Sequence, residues 1–265
     1  MAVIRGVRYS AKVSGAYYTE LKKIVEYVNA LFMRTIFAGL DTKQMARKIE
    51  GVKVADESPN ERYKKRLAAF NKVLRGKVSR QVIERIARQS LERADKYCER
   101  DFKRHLRASA KSFGLDLEKL GLWKKYSAYM ATAVEENVSL IEDLADEQAR
   151  RLQSIVLRSV REGLALNTTE KELQNAFGIG KRRAATIART ETHKLTQQLA
   201  DRRAQDIGVT RGVWRAVMDN RTSDQHRRFN GKEFDLKKGL YDPRERSYNW
   251  PGRRVNCRCW TEYIV

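Results

Sequence analysis

Apolar residues recur three and four positions apart between about Tyr17 and Phe37, where Leu21, Ile24, Val25, Val28, Leu31 and Phe32 form one stripe. That spacing follows the 3.6-residue turn and predicts an amphipathic helix whose stripe packs into a core. Ahead of it, Val3, Arg5, Val7 and Tyr9 alternate apolar with basic, as an extended arm does. Gly39 is placed to end the helix, and Asp41 with Gln44 three residues on reads as the N-terminus of a second one. A loop follows over Gly51 to Asn60, and the helical pattern resumes from Glu61 to Gly114 and again over 126–165. The prolines are Pro59, Pro243 and Pro251, so the 183 residues between the first two contain no helix breaker of that kind. A boundary is expected near Gly163 to Thr169. There Thr169 and Glu172 make a capping box for a helix that ends at the GIG turn, Gly178 to Gly180. A long helix then runs from Lys181 to about Asp206, with Gly208 available for a left-handed C-terminal position.

Beyond Gly208 the texture changes. Val213 to Met218 alternates as a strand, DNRTSDQH reads as a turn entering a short helix, and Asn230-Gly231 is a tight-turn signal. KEFDL and CRCWTEYIV read as further strands. The expected fold class is α+β, a mostly helical N-terminal region followed by a small α+β C-terminal domain. The segments are an arm and helix over 1–40, a basic helical region over 41–165 and the α+β domain over 166–265. No repeat of 20 to 50 residues and no low-complexity tract is visible.

Charge narrows the partner. The 265 residues carry 55 Lys+Arg against 33 Asp+Glu, a formal +22, and such a field attracts polyanions before any specific contact forms. An apolar fraction of 42% is too high for a disordered basic tail. Residues 41–125 hold 24 basic against 12 acidic residues, whereas 126–165 hold 4 against 7. Phosphate contacts are therefore expected from Lys64, Lys65, Arg66, Arg75, Lys77, Arg80, Arg104 and Arg107. No membrane-length apolar run and no apolar signal core at the N-terminus is visible, so the expected product is cytosolic and has no membrane partner. Three cysteines cannot close a disulfide framework, and Cys257 and Cys259 lie only two residues apart.

Three motifs carry candidate chemistry. GIGKRRAATIA could be a helix-hairpin-helix turn aiming backbone N–H groups at a phosphate beside Lys181, Arg182 and Arg183, or a plain connector. ARTETHK places Arg189 and His193 on one helix face with Glu191 on another. His193 could serve as a general base, or the group could hold a neighbouring layer through hydrogen bonds. The densest constellation combines DNRTSDQH, RRFNGKEFD and WPGRRVNCRCW. Asp219, Thr222 and Ser223 can cap the helix bearing His226, and Cys257 and Cys259 would share one face of a strand. Two thiolates and an imidazole make a soft metal site if His193, Asp219 or water adds a fourth ligand. The C-x-C spacing lacks the two-residue gap of common zinc knuckles, which favours a buried metal-free centre built on Asp219, His226, Cys257 and Cys259, with no cofactor.

In order, ARTETHK, W-x4-D-x-R-T-x3-H from Trp214 to His226 (with Asp219, Arg221 and Thr222), NGKEF and NCRC resemble the phage Mu F-like head morphogenesis proteins, also called minor head or minor capsid proteins. The resemblance covers roughly Ala188 to Val265. It implies a virion component made in the host cytoplasm and held in the capsid interior near the portal protein. Its partners would be capsid or scaffold proteins and double-stranded DNA, packaged or ejected. The polar residues of this domain read better as caps and hydrogen-bonded pairs than as an acid, base and nucleophile, so no enzymatic turnover is expected and Arg189, Glu191, His193, Asp219, Arg221, Thr222, His226, Cys257 and Cys259 form a structural motif. Relatives with a cysteine pair in the RT…H segment have natural zinc ligands, whereas this chain has Ser223 and His226 there. The alternatives are a Mu F-like nuclease or transferase using Arg189, Glu191, His193, Asp219 and His226, and a DNA-independent adaptor docking on the portal.

Overall fold

The computed structural model describes residues 3–37, 59–113, 126–162, 164 and 166–265. Five long helices account for most of them: α1 (Ala11–Ile36), α2 (Pro59–Lys77), α3 (Arg80–Phe113), α4 (Ser127–Glu162) and α5 (Leu166–Asp206). A short α6 (Asp224–Phe229) lies among the strands β1 (Val3–Ile4), β2 (Arg211–Arg215), β3 (Glu233–Asp235), β4 (Leu240–Asp242), β5 (Ser247–Asn249) and β6 (Trp260–Ile264). The fold is α+β, helical first and with its sheets mainly at the C-terminal end. The helix expected after Asp41 and most of the loop expected over Gly51 to Asn60 lie outside the described residues, and Pro59 and Asn60, placed in that loop by the sequence, open α2 instead.

The chain forms two compact units, neither continuous in sequence. One comprises Thr19–Ile86 and Glu136–Ala185; the other comprises Met1–Tyr18, Ala87–Glu135 and Thr186–Val265.

Among the described residues the first unit is built of helices. The α1 stripe of Leu21, Ile24, Val25, Val28, Leu31 and Phe32 is buried throughout, and Phe32 meets Phe70 of α2 edge to face at 5.3 Å. Val138, Ile141, Leu144, Ala149 and Leu152 bury the matching face of α4. Polar groups in this core include Gln148 and Asn29: Gln148 Nε2 donates to Asn29 Oδ1 at 2.8 Å and to the Ala176 carbonyl at 3.3 Å, so its buried amide is paired.

Here the structure departs from two sequence expectations. The GIG run is no turn, because α5 passes through Gly178, Ile179 and Gly180 without a break. Gly180 serves close packing instead: a Cβ there would lie 2.5 Å from Gln148 Oε1 and 2.9 Å from Val25 Cγ1. A glycine kept for close approach and one kept for a left-handed turn look alike in sequence. Thr169 likewise lies within α5 rather than at its cap; its hydroxyl hydrogen-bonds Ser159, and Glu172 pairs with Arg158.

In the second unit an antiparallel sheet of order β1-β6-β2-β3 is joined by a β4-β5 pair. The N-terminal arm is the edge strand β1, with Val3 opposite Ile264 and Ile4 opposite Tyr263. Of the alternating arm only Val3 and Ile4 are in a strand, and that strand pairs with the far end of the chain. Leu91, Ala94, Cys98, Phe102 and Leu106 bury one face of α3, and Phe102 packs edge to face on Tyr263 at 5.8 Å.

Candidate functional site

In α5, residues four apart stack along one face, and the second unit uses that face for polar contacts to β6 and the segment before it. His193 Nε2 donates to the Cys259 carbonyl at 2.8 Å, Gln197 Oε1 accepts from Thr261 N at 3.3 Å, and Tyr263 Oη donates to Asp201 Oδ1 at 3.1 Å. The repeats match, since four helical residues rise about 6 Å and two strand residues about 6.6 Å. Gln197 also donates from Nε2 to the Val7 carbonyl at 2.6 Å, tying the N-terminal arm to the same ladder. One turn earlier, Thr190 Oγ1 accepts from Asn256 N at 3.1 Å. All three ladder side chains are buried. Burial keeps His193 neutral by lowering its pKa and raises that of Asp201 to about 6, although Arg253 lies 3.6 Å from that carboxylate.

The cysteine segment is positioned by a turn. Cys257 N donates to the Arg254 carbonyl at 3.0 Å and Asn256 has φ +58°, so Cys257 and Cys259 precede β6 and are not on a strand as the alternation predicted. Both sulfurs nevertheless converge on His226, whose Nδ1 lies 3.7 Å from Cys257 Sγ and 3.5 Å from Cys259 Sγ. His226 is presented by α6, where Ser223 is the N-cap and its Oγ accepts from His226 N. Trp214 of β2 packs beneath the imidazole at 5.4 Å between centroids. Hydrogen bonds from Cys259 and His226 hold the Cys257 thiol well below the ordinary thiol pKa, and the hydrogen bond to Cys257, with burial and the Cys257 charge, pushes the Cys259 thiol well above it.

Asp219 does not join this cluster. Arg258, the residue between the cysteines, grips its carboxylate with Nη1 at 2.7 Å and Nη2 at 2.5 Å, which drives its pKa far down. The remaining Asp219 contacts shape its own turn: Oδ1 accepts from Arg221 N and from the Thr222 hydroxyl, and Arg221 pairs with it at 3.5 Å. Arg189 is exposed and reaches Asn256 Oδ1 at 3.5 Å, and Glu191 pairs with Lys194 at 3.5 Å. Arg189, Glu191, His193 and Asp219 are thus bound to separate partners, and among the described residues the donor set that the structure gathers is His226, Cys257 and Cys259.

The basic candidates lie on several faces. On α2, Lys64, Lys65, Arg75 and Lys77 are exposed, while Arg66 donates to the Ile36 carbonyl at 2.6 Å and so closes the end of α1. Arg80 pairs with Glu142, Arg104 with Asp101, Lys181 with Glu26 at 3.0 Å and Arg183 with Glu147 at 2.7 Å; Arg182 is exposed. Arg104 and Arg107 belong to a larger basic group, of which the sequence reading did not single out Lys96, Arg100 and Lys103. Lys96, Arg100, Lys103, Arg104 and Arg107, with Glu99, line one shallow groove along the outer face of α3. Basic residues repeating at three and four positions opposite the apolar stripe were the available signal. Among the described residues no helix is long and apolar enough to cross a membrane.

Residues 150–262 match the family described as Phage Mu protein F like protein, so that stretch of the chain is Mu F-like, in agreement with the ordered motifs. A protein of Haemophilus influenzae described as "Uncharacterized protein" is 24% identical over 123 residues, which are 46% of this chain and 26% of that protein. The similarity therefore spans about a quarter of that relative's length. No solved structure matches the chain.

Proposed function

With residues 150–262 taken as those of a Mu F-like protein, we propose that the chain is a minor head protein of a phage virion, incorporated during head morphogenesis. Its place is the capsid interior near the portal, in contact with capsid or scaffold proteins, and it holds packaged double-stranded DNA without regard to sequence. The observation that carries the DNA reading is the α3 groove, where a repeated row of cations faces outward from a helix whose other side is buried. Helices α2 and α3 together hold 17 Lys+Arg against 6 Asp+Glu, an imbalance suited to neutralising phosphates by counterion release. A structural role is favoured over a catalytic one because His193 and Asp219 are engaged by the Cys259 carbonyl and Arg258.

Salt-dependent binding of a DNA duplex to the full chain tests this. Lys96, Arg100 and Arg107 make no ion pair among the described residues, so replacing all three by serine leaves the packing of α3 intact. At ~0.9 per phosphate contact, the slope of log K against log salt should fall by up to about 2.7. An unchanged slope and affinity would remove DNA from the proposal. Absence of the protein from purified heads would remove the virion assignment.

A further inference from the structure

We propose that His226 Nδ1, Cys257 Sγ and Cys259 Sγ bind one zinc ion, leaving its fourth coordination position to water or another exchangeable ligand.

The first argument is metric. With Zn–S near ~2.3 Å and Zn–N near ~2.05 Å, a tetrahedral centre sets sulfur and nitrogen about 3.6 Å apart. The two Sγ–Nδ1 distances are 3.7 and 3.5 Å, and the three donor atoms all lie within 4.8 Å of one another.

The second argument is hydrogen-bond capacity. Nδ1 of an imidazole has either one proton or one lone pair, so it makes one good hydrogen bond. Here two sulfurs face that single atom, so Nδ1 can pair well with only one of them, whereas a cation among the three engages both sulfurs and the nitrogen at once.

A third observation comes from the surroundings. Trp214 is 1% exposed, its indole N–H is left unsatisfied, and its ring lies 5.4 Å from the His226 imidazole. Arg258 adds a positive charge beside both cysteines. A metal-bound thiolate would give that N–H its acceptor, as outer partners of metal ligands commonly do.

The donor set selects the ion: two thiolates and an imidazole suit zinc, and disfavour magnesium or calcium, which take oxygen ligands. Among the described residues no fourth Cys, His, Asp or Glu joins the cluster, and Arg258 withholds Asp219. Closed structural zinc sites have four protein ligands, so three ligands leave a position open to an incoming donor. Occupancy would also cross-link α6 to the segment entering β6, 31 and 33 residues away in sequence.

The test uses the full chain, stripped of metal under reducing conditions and titrated with Co²⁺ and then Zn²⁺. The expected result is one equivalent of Co²⁺ with the intense sulfur-to-cobalt charge-transfer and visible bands of a tetrahedral thiolate site, displaced by one equivalent of Zn²⁺. Cys257→Ser, Cys259→Ser and His226→Ala should each weaken Zn²⁺ binding by more than the ~10- to 100-fold expected for Trp214→Phe, which removes only an outer N–H. Zinc should also protect Cys257 and Cys259 from alkylation. A folded wild-type chain that shows no sulfur-to-cobalt band, or whose two thiols alkylate equally with and without zinc, overturns the proposal even if the variants fail to fold. DNA binding measured in parallel keeps this outcome separate from that of the proposed function.

Discussion

Exchanging either glycine of the GIG run for alanine should have opposite effects at the two positions. Both lie inside α5, where glycine is about 0.8 to 1 kcal/mol less favourable than alanine. At Gly178 an added Cβ would meet only Arg182 Nη1, the far end of a flexible side chain, at 3.4 Å. Gly178→Ala should therefore stabilise by most of the propensity difference, roughly 0.5 to 1 kcal/mol. At Gly180 the same atom would lie 2.5 Å from Gln148 Oε1 and 2.9 Å from both Gln148 Cδ and Val25 Cγ1. Relief requires Gln148 to move, which strains its bonds to Asn29 and the Ala176 carbonyl. Overpacking costs typically ~1 to 3 kcal/mol and an unpaired buried polar group a similar ~1 to 3. After the helix gain is subtracted, Gly180→Ala should destabilise by roughly 1 to 3 kcal/mol. Urea unfolding of the full chain, followed by far-ultraviolet circular dichroism, measures both changes as shifts of midpoint at constant slope. A left-handed glycine in a hairpin turn predicts the reverse at Gly178, because alanine is strained there. Loss of stability in Gly178→Ala, or equal gains in the two variants, would refute the continuous-helix reasoning.

Two further outcomes follow from the polar ladder. Asp201 has its pKa raised to about 6 from 3.8 by burial, so the folded chain holds a proton that the unfolded chain releases between those values. Stability from this group is greatest below pH ~4 and falls as pH rises through ~6, by up to about 3 kcal/mol at 1.36 kcal/mol per unit. Asp201→Asn should flatten that fall when urea midpoints at pH 4.5 and 7 are compared, and an identical pH profile in the variant would count against it. Gln197→Leu should cost roughly 2 to 5 kcal/mol, because the Thr261 N–H and Val7 carbonyl both lose a buried partner; a change under about 1 kcal/mol in the urea midpoint would show that water replaces the amide.

The parts of the fold that were legible in the sequence are those fixed by local periodicity. The α1 stripe needs only the 3.6-residue repeat, and every one of its six positions is buried. That His226, Cys257 and Cys259 come together was legible too, from the density of polar residues around DNRTSDQH and NCRC. What local pattern cannot supply is which partner each group selects. Asp219 was equally eligible as a fourth ligand or a cap, and the outcome depended on Arg258, 39 residues away. Gly180 could be told from a turn glycine only by knowing that Gln148 and Val25 face it. The arm was read as extended, but its pairing with Tyr263 and Ile264 joins opposite ends of the chain.

The ladder on α5 shows how such long-range choices can be made specific. An apolar helix face against a sheet tolerates sliding, because one aliphatic contact replaces another. His193, Gln197 and Asp201 do not, since each matches one group of the sequence Cys259, Thr261, Tyr263. A two-residue slip would keep the inward faces of β6 unchanged yet displace every polar match, leaving buried donors and acceptors at ~1 to 3 kcal/mol each. The same ladder therefore fixes the register of β6. Through that register it also fixes where Cys257 and Cys259 stand relative to His226, so the ARTETHK helix acts on the cysteine site by positioning it.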